Sequence, residues 1–168
     1  MYIWVLTATS GQTPHIKMDF DKYIENTLPD RDRTSTDTVI EFVKMYNRWA
    51  ADCHNLVRTG RTQFDELTKN DSVARKVLQS IYNKYCTSKN RQYHRTHVGY
   101  FFYGGTYKSS YEITICTELT KNKVEIQTPK IKNIATSKKY MVVKQGQVWK
   151  IDTVESLEGN NKWMPDIL

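Results

Sequence analysis

Apolar positions fall into two regimes along the chain. From residue 39 to residue 85 they recur at three- and four-residue spacing, and beyond residue 110 they alternate with polar ones. In the first regime Val39, Phe42, Val43, Tyr46, Trp49, Ala50 and Cys53 mark one broad face of a long helix. Ser35, Thr36 or Asp37 offers the N-cap oxygen, Thr38 with Glu41 matches a reciprocal capping box, and Gly60 is the stop. One or two further helical turns are expected around Phe64 to Leu67. Asp71 then caps a second long helix with Val73, Val77, Leu78, Ile81, Tyr82 and Tyr85 on one face, ending near Tyr85-Cys86-Thr87.

Period two takes over later. Tyr111, Ile113 and Ile115 alternate with Glu112, Thr114 and Cys116, as in a half-buried strand. Val124 and Ile126 alternate with Lys123, Glu125 and Gln127, and the intervening Leu119-Thr120-Lys121-Asn122 is short enough to close a hairpin. Lys139 to Lys144 and Val148 to Val154 read as two more strands, joined by Gln145-Gly146-Gln147 with the glycine a tight turn needs. From Gln92 to Lys108 the pattern is aromatic and irregular, a structured loop or an irregular edge strand. Helices first and an antiparallel meander after them predict the α+β class. The weakly periodic residues 1–33 end in the polar, proline-marked Leu28-Pro29-Asp30-Arg31-Asp32-Arg33, so they are set apart as an N-terminal arm from a domain over 34–168.

Charge sharpens this division. The 168 residues carry a net +7, yet residues 1–70 balance to −1 and residues 71–168 to +8. Whatever the basic surface does therefore belongs to the second half. No apolar run reaches the roughly 18–20 residues that cross a bilayer, and Met1 to Ser10 lacks the basic start of a secretory leader. That opening stretch reads as a short strand or packing arm. Three cysteines, Cys53, Cys86 and Cys116, make an odd set without close pairing, which points to buried, reduced thiols in the cytoplasm.

Few residues carry catalytic patterns. The glycines at 99, 104 and 105 form no phosphate loop. His94 and His97, with Cys86 upstream, lack the tight Cys/His pairings of a zinc site, so no metal or cofactor is expected. Cys53 and His54 are helix neighbours that point about 100° apart and form no couple. An enzyme would have to use Asp52 or Asp152 with Tyr46 in a pocket between helix and sheet, although either carboxylate reads as readily as a surface group. The richer feature is basic and aromatic. Arg91, Tyr93, Arg95, Tyr100, Phe102, Tyr103 and Tyr107 lie together in the chain, with Lys89, Lys108, Lys121, Lys123, Lys130, Lys132, Lys138 and Lys139 around them. Such a mixture suits single-stranded nucleic acid or the hot spot of a protein interface, or it divides into core aromatics and a solvated lysine face. Without an RRM, KH or helix-turn-helix pattern, the nucleic-acid reading is the weaker of the two binding modes.

Three segments carry a family resemblance: Ile81 to Tyr93 with its Lys84-Tyr85-Cys86-Thr87-Ser88-Lys89-Asn90-Arg91 core, Lys139 to Asp152 ending Trp149-Lys150-Ile151-Asp152, and the terminal Gly159 to Leu168. With the Phe42, Tyr46-Asn47 and Trp49 helix they resemble the NTF2-fold immunity proteins of bacterial polymorphic toxin systems, over roughly residues 36–168. The resemblance implies a cone of helices on a curved antiparallel sheet. It implies a cytoplasmic, non-enzymatic protein that binds and neutralises a cognate toxin, with a homodimer through the sheet left open by analogy. The segment 91–111 is then the expected contact. The positive balance points to an acidic toxin surface rather than to the cationic cleft of a nuclease.

Overall fold

Helix α2 (Ser35–Arg58) organises the molecule, and in the computed structural model its expected stripe is buried except at Ala50, which is partly buried. The structure describes residues 21–69, 71–89, 115–128, 137–157, 159 and 161–166. Val39, Phe42, Val43, Trp49 and Cys53 on α2 have no exposed surface at all. The helix begins one residue before the expected candidates. Thr34 is the N-cap, with Oγ1 accepting from the Asp37 N–H at 3.1 Å while the Asp37 carboxylate accepts from the Thr34 N–H at 3.0 Å. The capping box is thus Thr34 with Asp37, not Thr38 with Glu41. Thr38 is buried and donates its hydroxyl to the Thr34 carbonyl at 2.9 Å. Thr59 closes α2, and Gly60 beyond it takes the left-handed φ of +66° that ends many helices.

Short helices bracket this one. Helix α1 (Asp21–Ile24) lies against α2, whose Arg48 Nη1 donates to the Lys22 carbonyl at 2.8 Å. Helix α3 (Phe64–Thr68) contributes the buried Leu67 and leads into α4 (Val73–Tyr85). Ser72, not Asp71, caps α4. Its hydroxyl accepts from the Arg75 N–H at 3.2 Å and donates to the Leu67 carbonyl at 2.8 Å. A carboxylate is acceptor-only and could not make both bonds.

Helices α2 and α4 pack through aromatic rings. Phe42 lies 5.8 Å from Tyr82, 6.3 Å from Tyr85 and 6.0 Å from Tyr46, and Tyr46 lies 5.7 Å from Trp49. The Trp49 indole N–H donates to the Ala74 carbonyl at 2.9 Å, fastening α2 to the first turn of α4.

The sheet is an antiparallel meander in sequential order: β1 (Ile115–Thr120), β2 (Lys123–Gln127), β3 (Lys138–Gln145), β4 (Val148–Leu157) and β5 (Trp163–Asp166). Helices on one antiparallel sheet are the α+β arrangement expected from the sequence. Val124 and Ile126 of β2, Tyr140 and Val142 of β3, and Ile151 and Val154 of β4 join the helical residues in one core. Gly146 opens the two-residue β3–β4 turn at φ +63°, as the hairpin requires.

Two features depart from simple alternation. Most of the half-buried strand expected over 111–116 lies outside the described residues. Strand β1 spans Ile115–Thr120, is exposed throughout, and includes Leu119 and Thr120, which the sequence assigns to the hairpin turn. Among the described strands it lies at the edge, whereas α2 covers β3 and β4. In β4, Met141 pairs with Thr153 and Val142 with Ile151, so Asp152 is the extra residue of a β-bulge.

Trp49→Ala should cost about 3–5 kcal/mol of stability in urea unfolding through the cavity it leaves. Thr34→Ala should cost about 1 kcal/mol through the lost cap, with little change in the slope of the transition.

Candidate partner-binding surface

A surface that works by charge must be built from cations the fold leaves unpaired. Five described lysines of the second half, Lys84, Lys89, Lys138, Lys139 and Lys150, are engaged by internal acids or carbonyls. Lys138, expected on the solvated or contacting face, is 3% exposed at its side chain. Its ammonium donates to Ser156 Oγ at 2.6 Å and pairs with the Asp166 carboxylate, which also accepts from the Ser156 hydroxyl. Three strands are joined there. The alternation that turns Tyr140 and Val142 inward turns Lys138 inward too. Lys139 faces the opposite way, 2.6 Å from Glu155, 3.9 Å from Glu125 and 4.8 Å above the Trp163 ring.

A second ionic cluster holds the chain entering α2. The Arg33 side chain is fully buried, 2.6 Å from Asp30 and 3.5 Å from Glu41, and it lies over the Tyr85 ring at 4.6 Å. Glu41 also accepts from the Leu28 N–H at 2.8 Å and from the Tyr85 hydroxyl at 3.3 Å. Burial, and then the Glu41 charge, push the Tyr85 phenol above its ordinary range. Lys84 reaches Asp30 at 3.4 Å. The Lys150 ammonium donates to the carbonyls of Asn83 and Lys84 at the end of α4, where a positive charge meets the negative end of the helix dipole. Burial lowers the Lys150 pKa from its ordinary value, against the opposing pull of Asp30.

The carboxylates considered for catalysis have visible engagements. Asp152, put forward by the bulge, accepts from the Thr87 hydroxyl at 3.0 Å and pairs with Lys89 at 2.5 Å. The Thr87 N–H adds a bond to the Ile151 carbonyl at 2.9 Å, so the segment after α4 is fixed along β4. Tyr46 is 2% exposed within the aromatic stack. Asp52 is half-buried on α2 beside Cys53, whose thiol is pushed up by burial and then by the Asp52 charge. Trp49, Tyr46, Tyr85 and Tyr140 are the largest fully buried side chains among the described residues and belong to one core. Cys53 and Cys86 are buried as expected, but Cys116 is exposed on β1.

Arg91, Tyr93, Arg95, Tyr100, Phe102, Tyr103 and Tyr107 lie outside the described residues, as do His94 and His97. Among the described residues no group of three His, Cys, Asp or Glu side chains could hold a metal ion. No described helix is long and apolar enough to cross a membrane. What sequence reasoning missed is the internal use of Arg33, Glu41 and Lys138. The strand parity of Lys138 with Tyr140 and Val142 was the one signal for its burial.

A family model described as NTF2 fold immunity protein matches residues 34–166, well over half of the chain. No curated protein and no solved structure matches it.

Asp166→Ala should cost about 3–5 kcal/mol by stranding a buried ammonium, whereas Lys138→Met with Asp166→Leu should recover most of that loss in urea unfolding. Of the three thiols, Cys116 should react with a disulfide reagent in the native protein at mildly alkaline pH. Cys53 and Cys86 should react only after unfolding.

Proposed function

The chain belongs to the NTF2-fold immunity proteins, and we propose that it binds a cognate protein toxin and neutralises it by contact, without turning over a substrate. The family match across residues 34–166 carries this reading. Two side chains an enzyme would have to use are engaged in the described structure: Tyr46 is packed between Phe42 and Trp49, and Asp152 is engaged by Thr87 and Lys89.

The contact on this reading includes Arg91, Tyr93, Arg95, Tyr100, Phe102, Tyr103 and Tyr107. Tyrosine and arginine are the residue types that carry most energy in desolvated interfaces, since a rigid ring or planar guanidinium loses little freedom per unit of area covered. This stretch follows Lys89 closely in sequence, and Lys89 is held on Asp152. The chain therefore enters the proposed contact from a fixed point on the sheet.

Co-expression with the toxin encoded beside its gene should restore growth of a toxin-poisoned host, and the two proteins should purify as a complex. Single alanine substitutions at Arg91, Arg95, Tyr100, Phe102, Tyr103 and Tyr107 should include at least one that costs about 2 kcal/mol or more of binding. Undiminished affinity across the whole set would remove this segment from the interface.

A further inference from the structure

Strand β5 contributes no residue to the buried core. It is four residues long, and its Met164 is 40% exposed. Its Pro165, opposite Glu155, carries no N–H, so at most three of its residues can donate to β4. A strand with so little apolar burial and so short a ladder needs another hold on the sheet.

Two consecutive residues of β3 supply it. Lys138 and Lys139 point to opposite faces, as strand neighbours do, and each reaches across β4 to β5. On the face that carries Tyr140 and Val142, the Lys138 ammonium donates to Ser156 Oγ at 2.6 Å and pairs with the Asp166 carboxylate. That carboxylate also accepts from the Ser156 hydroxyl. On the other face Lys139 lies 2.6 Å from Glu155 of β4 and 4.8 Å from the centre of the Trp163 ring. The root of this clasp is fixed. The Lys138 N–H donates to Thr128 Oγ1 at 3.0 Å, the Lys138 carbonyl accepts from the Thr128 N–H at 2.8 Å, and the Ser137 carbonyl accepts from the Leu157 N–H at 3.0 Å.

The two halves of the clasp answer protons differently. Lys139 meets β5 at an aromatic ring, and its own charge persists throughout the acid range. Lys138 meets β5 at a carboxylate, and the two side chains are 3% and 8% exposed. Protonating Asp166 on the docked strand would leave a buried ammonium facing a neutral partner, which is the costly arrangement. Opening returns that carboxyl to water, where an aspartate takes up its proton near pH 4, at about 3.9. The open strand therefore binds the proton more readily than the docked one, and docking weakens as pH falls through this range. Lys138 of β3 and the Ser156 hydroxyl of β4 face Asp166, while Lys139, Glu125 and Glu155 form their ion pairs on the opposite face.

We propose that β5 is a proton-sensitive strap, closed on the sheet while Asp166 is ionised and released by itself, ahead of the other strands, when that carboxyl is protonated.

Hydrogen exchange of the full chain, read by mass spectrometry and corrected for the intrinsic chemical rate at each pH, tests this. Protection of the peptide holding Trp163–Asp166 should fall about tenfold between pH 6 and pH 3, while peptides from β2 and β3 keep theirs. Asp166→Asn should speed exchange of the same peptide about a hundredfold at pH 6, more than in β2 and β3, and abolish its pH response. Lys138→Met with Asp166→Leu should leave β5 protected equally at pH 3 and pH 6. Exchange of β5 in step with β2 and β3 at every pH would overturn the strap, as would wild-type protection in Asp166→Asn. A wild-type pH response in the double variant would also overturn it by placing the titrating group elsewhere. Should Asp166→Asn fail to fold, the wild-type pH series and the double variant decide alone. The chain is measured without a partner, so neither result touches the toxin-binding reading.

Discussion

One constraint underlies the rest: the apolar stripe of α2 is too wide to be covered from a single side. Helix α4 takes one flank through Phe42, Tyr82 and Tyr85, and strands β3 and β4 take the other through Tyr140, Val142, Ile151 and Val154. A helix in isolation is held only weakly by its own hydrogen bonds, and packing of its apolar face supplies most of its stability in a folded chain. Both the helical half and the sheet half are therefore organised by the same surface. The ionic groups are arranged around its margins, with Glu41 on α2 gathering Leu28, Arg33 and Tyr85 at the end where the chain enters.

The large positive balance hides how the cations are used. Several act as internal fasteners: Lys138 holds β5 to β3, Lys89 holds the segment after α4 to β4, and Lys150 meets the exposed carbonyls at the end of α4. A buried ion pair is weak evidence of net stabilisation because desolvating both partners offsets their attraction. Its geometry is demanding, however, and a register slip in β5 would leave the Lys138 ammonium buried against the wrong neighbours. Net charge read from composition therefore overstates the charge offered to a partner.

Much of the architecture was legible because α2, α4 and the β3–β4 hairpin announce themselves through periodicity and through Gly146. The cap of α2 was less legible, since Thr34, Ser35, Thr36, Asp37 and Thr38 are five consecutive residues able to cap. The choice among them depends on Asp37 reaching back to Thr34. The alternation over 111–116 falls mostly outside the described residues. Strand β1, Ile115–Thr120, runs through Leu119 and Thr120 that the sequence assigns to the turn, because the pairing of Thr120 with Lys123 leaves only Lys121 and Asn122 between the strands. The seven aromatic and basic residues of the expected contact lie outside the described residues. Lys121 and Lys123 could be seen in the sequence only as members of a longer basic series. Separating them from Lys138 and Lys139 needed the ion pairs.

The bulge at Asp152 has a role beyond local geometry. Met141 with Thr153 and Val142 with Ile151 would be consecutive partners in an uninterrupted ladder, so the sheet itself has no need of the residue between Ile151 and Thr153. Its carboxylate serves a different piece of chain, the one that leaves α4 through Thr87 and Lys89. A version of the molecule shortened by that single residue could keep its strands in phase and its interior intact, yet would lose the mooring from which the aromatic stretch sets out.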